Sequence, residues 1–433
     1  MGQAFLPVRR SEALRNKTMK IVSGKRIQPE LERQANRRIL FSAETEKTVA
    51  RIIADVRKGG DRALRKYAEK FDSLEPKQPL TVSPQEMQDA LANVTPEFRR
   101  ALEGAAKNIR QFAEWQKPAA FTREMQRGVT VGQVIRPLDS VGCYVPGGRY
   151  PLPSTLLMTV IPAQVAGVKN ITVVSPRPAR ETLSAAALLG VTTFYRFGGA
   201  QAVAALAYGT DTIKPVNKIV GPGNKFVTTA KKLVSFDCGI DMIAGPTEAL
   251  IISDDANAKF IAADLLAQAE HDPDTSVVFV TMSKKLAEQV ANELKVGAKD
   301  NPIALQSLKA SGLIFVTDSR EQSISIANAI ASEHITIPRD YLDAITSAGS
   351  IFIGDYSAQS IGDYASGPNH TLPTGGIARY RGGLSVMDFL KVITVQEVSR
   401  EGLFSIAPIV ETLANAEGLK AHAESVRVRC ANA

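Results

Sequence analysis

Residues 170–210 read NITVVSPRPARETLSAAALLGVTTFYRFGGAQAVAALAYGT, and this stretch decides the fold. Ile171–Val174 is a short β-branched run bounded by Asn170 and Ser175-Pro176, which reads as a buried strand. ETLSAAALLGV, from Glu181, is a helix. TFYRFGG, from Thr193, is a strand entering a glycine turn, and AQAVAALAYGT is the helix after it. Strand–helix units of this length argue for a parallel sheet with helices on its faces. Ligands of such sheets bind at the carboxyl ends of the strands.

The pattern continues outward from 141 to 247, with a helix in STLLMTVIPAQVAGV and another strand and turn in NKIVGPGNKFV. It then repeats. GPTEALIISDD (245–255), the helix FIAADLLAQAEHDPD (260–274), the strand SVVFVT (276–281), the helix KKLAEQVANELKV, the strand GLIFVTDS and the helix-to-strand run SISIANAIASEHITI form a second α/β unit. Residues 43–116 read as mostly helical. Ser42 is a candidate N-cap, an apolar face runs through Val49, Ile52, Ile53 and Val56, and Gly59-Gly60 stops the helix. EFRRALEGAAKNIRQFAEWQK, from Glu97, is a second long amphipathic helix. TVGQVIRPLDSVGCYVPGG, from Thr130, reads as a strand pair and a Gly-rich turn. The end, 385–433, reads as short helices, SVMDFLKVITVQEVS and IAPIVETLANAEGLKAHAESV. Their apolar face is too small to stand alone and must dock somewhere.

Composition bounds the class. A chain of 433 residues is long for one core, so two or more domains are expected. With 44% hydrophobic and 22% charged residues it has the make-up of an ordinary globular enzyme. No run of eighteen apolar residues exists, and no charged-then-apolar signal opens the chain, so a cytoplasmic protein without membrane contact is expected. Three cysteines far apart exclude a disulfide framework or thiolate zinc site and suit a reducing compartment. Net charge is +8, and residues 1–40, with ten Lys/Arg against three Asp/Glu, supply most of it. That arm lacks interleaved aromatics and any nucleic-acid motif. It reads as solvated or partner-wrapping, with no nucleic-acid partner.

Several residues could carry chemistry. FGGAQ (197–201) and VGPGN (220–224) end strands with glycine, which lets backbone N–H groups approach a phosphate. Neither is GxGxxG, and plain tight turns explain them nearly as well. Gln268 and His271 share one face at the end of their helix, either half of a metal site or a solvated helix end. The chain has only four histidines (His271, His334, His370, His422), all in polar company, three with a carboxylate within two residues. Gln268, His271, one loop carboxylate and one further histidine would suit a reactive zinc with open positions. Glu333 and His334 are adjacent and point apart, which suits proton transfer better than chelation. The glycine-rich segment 354–384 holds Asp363, Asn369 and His370, and a loop of that length reads as functional.

Taken together, VGCYVPGG, GGAQAVAALAYGT, VGPGNKFV, DMIAGPTEALII, DLLAQAEHDPD, SEHI, GDYASGPNHTLPTGG and ETLANAEGLKAH resemble the histidinol dehydrogenase family, from about residue 43 to the end. The resemblance implies an α/β fold of two incomplete Rossmann-like parallel-sheet domains with small N- and C-terminal helical extensions. The division it suggests is an arm at 1–42 and a discontinuous first domain, 43–140 with 248–384, holding metal and catalytic residues. A second, NAD-binding domain follows at 141–247, and a dimer-crossing segment at 385–433. It implies a zinc- and NAD-dependent four-electron oxidation of L-histidinol to L-histidine through bound L-histidinal. Carried over, the zinc ligands fall on Gln268, His271, Asp363 and His422, and the general base and its acidic neighbour on His334 and Glu333. Thr247, His370 and Glu417 join His334 and the metal ligands in contacting substrate, and NAD contacts fall on Tyr144, Gln201 and Asn224. The family is an intertwined homodimer, so Glu417 and His422 would complete the partner's site.

One departure is Arg381 in RYRGGLSV (379–386), where a small residue is expected. It keeps open an alternative, the same machinery acting on another small alcohol such as a sulfonated propanediol. A non-catalytic metal-dependent scaffold is a third reading, disfavoured by the Glu333–His334 pair.

Overall fold

The computed structural model describes residues 19–37, 42–147 and 150–431. It opens with β1 (Lys20–Ser23) and α1 (Ile27–Ala35), followed by α2 (Ala43–Asp72). Ser42 caps α2 by accepting from the Thr45 N–H. Gly60 (φ 51°, ψ −138°) kinks this helix without ending it, because Leu64 and Ala68 resume the buried stripe beyond the break. The stop expected at Gly59-Gly60 is therefore a bend. Next come β2 (Thr81–Val82), α3 (Pro84–Ala92), α4 (Pro96–Trp115) and the hairpin β3 (Phe121–Gln126) and β4 (Val129–Pro137).

The first strand–helix series is β5 (Ser140–Tyr144), α5 (Pro153–Ala166), β6 (Asn170–Val174), α6 (Arg180–Leu188), β7 (Thr193–Tyr195), α7 (Gly199–Tyr208), β8 (Lys218–Val220), α8 (Lys225–Val234) and β9 (Gly239–Ile240). The second is β10 (Glu248–Ile252), α9 (Ala258–Ala269), β11 (Ser276–Thr281), α10 (Lys284–Gly297), α11 (Pro302–Ser311), β12 (Leu313–Val316), α12 (Arg320–Ile330), β13 (His334–Ile337), β14 (Ser350–Ile353) and α13 (Gln359–Tyr364). The chain closes with β15 (Leu390–Val398), α14 (Arg400–Ala416) and α15 (Lys420–Ala431).

Two six-stranded sheets result, ordered β1-β12-β11-β10-β13-β14 and β2-β7-β6-β5-β8-β9. Within each series the strands run in the spatial order third, second, first, fourth, fifth. Each sheet also borrows an edge strand from earlier in the chain, β1 in parallel and β2 in antiparallel pairing. Both sheets carry apolar clusters on both faces, as buried parallel strands require.

Two parts of the expected division are corrected. Residues 43–115 pack chiefly with 141–247, the second domain of the expectation, with α4 also reaching the 354–384 segment through Asn108 Nδ2 to Ala365 O. β2 pairs with β7, and Val49, Ile52, Ile53 and Val56 of α2 share one core with Val203 and Leu206 of α7 and Val227 of α8. Each such side chain contributes about 1.5–3 kcal/mol when fully buried, so the partner with the matching apolar face decides where the helix goes. Conversely, Lys20–Ser23 of the expected arm is an integral edge strand beside β12, with Val22 buried. The rest of that basic arm, residues 1–18 and 38–41, lies outside the described residues, as do Gly148 of VGCYVPGG and the last two residues.

The C-terminal segment is corrected as well. LKVITVQEV, expected to be helical, is β15, the edge of a three-stranded antiparallel sheet β15-β4-β3. Its β-branched alternation, Val392, Thr394, paired register with β4, overrode the short helical spacing. Val392, Ile393, Val395 and Val398 of β15 and Phe404, Ile409 and Leu413 of α14 remain exposed. Among the described residues, these apolar side chains of the helix-and-strand limb remain largely uncovered.

Candidate active site

The parallel register of β10 and β13 sets Ala249 beside His334, and therefore Glu248 beside Glu333, at the amino ends of these strands. The Glu248 backbone N–H donates to Glu333 Oε2 at 3.1 Å. His334 is buried, its ring stacked 5.9 Å from that of Phe352, with Nδ1 3.8 Å from Glu333 Oε2 and Nε2 3.5 Å from Asp363 Oδ1. Burial pushes the Glu333 carboxyl up to about 8 and the Glu248 carboxyl up to about 7. Burial alone would lower the His334 imidazole, but Glu333 and Asp363 outweigh it and hold its pKa above the usual range.

Three further side chains converge here. α9 runs back against the sheet, so Gln268 at its end returns to the amino side of β10 and β11. Gln268 is 1% exposed, yet its Oε1 has no hydrogen-bond partner. His271 follows, its backbone N–H bonded to Gln268 O at 3.2 Å. Asp363 comes from α13. Burial raises its carboxyl, but His334, His370 and His271 together pull it below its ordinary value. An orphaned buried carbonyl oxygen beside an imidazole and a carboxylate is a donor set that fits a zinc ion. Among the described residues, no group of three His, Cys, Asp or Glu side chains of one chain is placed to hold a metal ion by itself. His422 and Glu417 sit exposed on the C-terminal limb, and among the described residues no hydrogen bond or ion pair links either to Gln268, His271 or Asp363.

His370 joins the two sheets. Its Nδ1 lies 2.9 Å from the Asp363 carbonyl oxygen and its Nε2 3.3 Å from Thr155 Oγ1 at the start of α5. A carbonyl only accepts, so Nδ1 carries the proton and Nε2 accepts from Thr155, a neutral tautomer. Burial lowers the His370 pKa, in agreement. Thr247 leads into β10, its carbonyl accepting from Ser276 N at 2.9 Å. Arg381 turns its guanidinium to Asp388.

Across the gap, Tyr144, Gln201 and Asn224 gather at the carboxyl ends of β5, β7 and β8. The glycine turns there are not the open phosphate cradles the sequence allowed. Gly198 N donates to Asp72 Oδ2 at 2.9 Å, Gly199 N to Tyr144 Oη at 3.0 Å and Gly221 N to Asp241 Oδ2 at 2.7 Å. Asn224 Oδ1 caps α8 through Phe226 N and Val227 N. Asp241 is itself held by the buried Lys231, whose Nζ also donates to Gly221 O at 2.9 Å. Of these three side chains Tyr144 and Gln201 are buried and Asn224 is exposed.

The family model for histidinol dehydrogenase matches residues 35–430. The chain belongs to the histidinol dehydrogenase family. Histidinol dehydrogenase of Vibrio vulnificus YJ016 is 48% identical over 410 residues, covering 92% of this chain and 94% of that protein. The Methanothermobacter thermautotrophicus histidinol dehydrogenase is 48% identical over 396 residues, covering 88% and 92%. The crystal structure of histidinol dehydrogenase from Elizabethkingia anophelis superposes with a TM-score of 0.92 at 39% identity over 96% of this chain and 99% of that one. The fold and the enzyme class expected from the sequence are thus those of a histidinol dehydrogenase. Among the described residues, no helix is long and apolar enough to cross a membrane.

Asp72, Glu248 and Thr155 are polar groups of this chain that sequence reasoning missed. Each meets its partner across 85 or more positions of chain, and no local pattern encodes that.

Proposed function

We propose that this chain oxidises L-histidinol to L-histidine through bound L-histidinal, using NAD and one zinc ion per subunit. The observation that carries this is the buried Glu333–His334 pair facing Asp363 and the unsatisfied oxygen of Gln268. Gln268, His271 and Asp363 would hold zinc, with His422 of a second copy as the fourth ligand. Bound zinc would orient the amino alcohol, and bound NAD would accept a hydride in each of two steps.

His334 takes the alcohol proton at the imidazole nitrogen facing the substrate. Glu333, in its deprotonated form, takes a proton from water as the hydroxyl adds to the aldehyde. His334 releases that first proton to solvent and takes a second as the hydrate is oxidised. Thr247 and His370 line the substrate side, the latter by giving up its bond to Thr155. The uncovered apolar limb supports a homodimer in which Glu417 and His422 complete the partner's site. Tyr144, Gln201 and Asn224 contact NAD. The commitment of Arg381 to Asp388 removes the free cation that a sulfonated substrate would favour.

The test is NADH formation from L-histidinol before and after chelation, then after zinc is restored. Two NADH per histidinol, lost on chelation and recovered with zinc, is the expected result. No reduction from a zinc-loaded dimer would overturn the substrate assignment.

A further inference from the structure

Pro162 lies inside α5 and has no N–H to give the Met158 carbonyl four residues before it. A buried carbonyl left without a donor is costly, so another element has to supply one. Asn369 does so, its Nδ2 donating to Met158 O at 2.6 Å across 211 positions of chain. The other end of the same amide turns back to its own chain, Oδ1 accepting from Thr371 N at 2.9 Å. One side chain thus holds the backbone on both sides of His370. It ties the residue before it to α5 and closes an Asx turn onto the residue after it. The His370 ring then meets Thr155 Oγ1, three residues before Met158 on the same face of α5. Thr155, Met158 and Pro162 are all buried, and their spacing forms one stripe along the helix.

We propose that Asn369 is a positioning residue for His370, seating it on α5 through the Met158 carbonyl that Pro162 leaves without its helical donor. The inference rests on the reading above in which His370 contacts substrate. Asn369 itself need not touch the substrate. Its tether gives His370 a second support besides the Asp363 carbonyl, and that support belongs to the β5–β9 sheet, whereas Gln268 and His271 take their places from α9 on the β10–β14 sheet.

The experiment measures L-histidinol binding by titration calorimetry, without NAD, on the zinc-loaded protein. It compares wild type, Asn369→Asp, Asn369→Ala, His370→Ala and each Asn369 variant combined with His370→Ala. The titrations are run at about pH 9, where the carboxyl introduced at position 369 is ionised. That carboxylate still accepts from Thr371 N but has no proton for Met158 O. Asn369→Ala removes both bonds and adds no charge. Each change should weaken histidinol binding about tenfold, the scale of a lost hydrogen bond whose partner stays buried. In the His370→Ala background the same changes should alter binding by less than about twofold, because a residue acting through His370 has nothing left to position. Zinc content, and NAD affinity by direct titration, should stay within about twofold of wild type throughout.

Unchanged histidinol binding in either Asn369 variant, or equal losses with and without His370, overturns the proposal. So does failure of both single Asn369 variants to fold, which would make Asn369 a structural tether only. His370→Ala that binds histidinol as wild type does overturns the substrate reading of His370 itself, a separate outcome visible before Asn369 is changed. A wild type that binds no histidinol overturns the substrate assignment.

Discussion

The two six-stranded sheets share one strand order, yet the candidate functional residues gather at opposite ends of them. The sheet of β5–β9 offers Tyr144, Gln201 and Asn224 at the carboxyl ends of its strands, where open α/β sheets bind ligands. The sheet of β10–β14 places Glu248, Glu333 and His334 at its amino ends. Its own switch point, where β10 and β13 diverge, opens a cavity of about 270 Å³ lined by Ser253, Asp264 and Thr336 among others. None of the residues with a proposed role lies there. Thr155 at the start of α5 meets His370 of the 354–384 segment, and Gly245 N, just before β10, donates to Thr374 Oγ1 at 2.5 Å. Duplicated topology does not duplicate the site. Which end works depends on what stands opposite it.

This contrast can be broken by separating the two ends. His334→Asn removes the base on the β13 side, and turnover should fall by about a hundredfold or more. Bound zinc, measured by metal analysis, and NAD affinity should persist. Loss of zinc in this variant would break the division of labour. His271→Asn should do the reverse, losing zinc while NAD affinity stays within about twofold of wild type by direct titration, because the proposed NAD contacts lie on the other sheet.

Lys231→Met probes the cofactor side alone. It leaves Asp241 buried without its cation and loosens the VGPGN turn. Denaturant unfolding should show a loss of about 3–5 kcal/mol, with zinc content unchanged in the folded fraction.

The smallest effect is expected at the idle end of the β10–β14 sheet. Burial raises the Asp264 carboxyl from 3.8 to about 6 in the folded state. The folded chain therefore binds the extra proton more tightly, and this contribution to stability is present below about pH 4 and lost as pH rises through about 6. Asp264→Asn should show no advantage at pH 4 and a gain of about 1 kcal/mol at pH 8, after allowing for partial exposure. Turnover should not change. A fall in turnover would show that this end also takes part in the reaction.

Much of this was legible in the sequence, for local reasons. Strand and helix series follow from β-branched runs and apolar spacing, so β6, α6, β7 and α7 lie where residues 170–210 predict them. Chemically unusual neighbours, such as Gln268 three residues from His271 and Glu333 beside His334, are visible without coordinates. The kink at Gly60 and the strand β15 were not, because a glycine pair permits either a stop or a bend, and a β-branched run beside apolar neighbours fits both periods.

What the sequence by itself determined is the set of elements, their α/β alternation and the residue types able to bind metal and move protons. Only the tertiary structure decided that α2 covers the β5–β9 sheet, that Asp72 and Tyr144 occupy the glycine amides, and that Glu248, Glu333 and His334 gather at the amino ends of their strands. The physical reason is that helical and strand periods are written within a few residues. Which apolar face meets which, and which buried donor finds which acceptor, is chosen among partners scores of residues apart by the free energy of the whole packed chain.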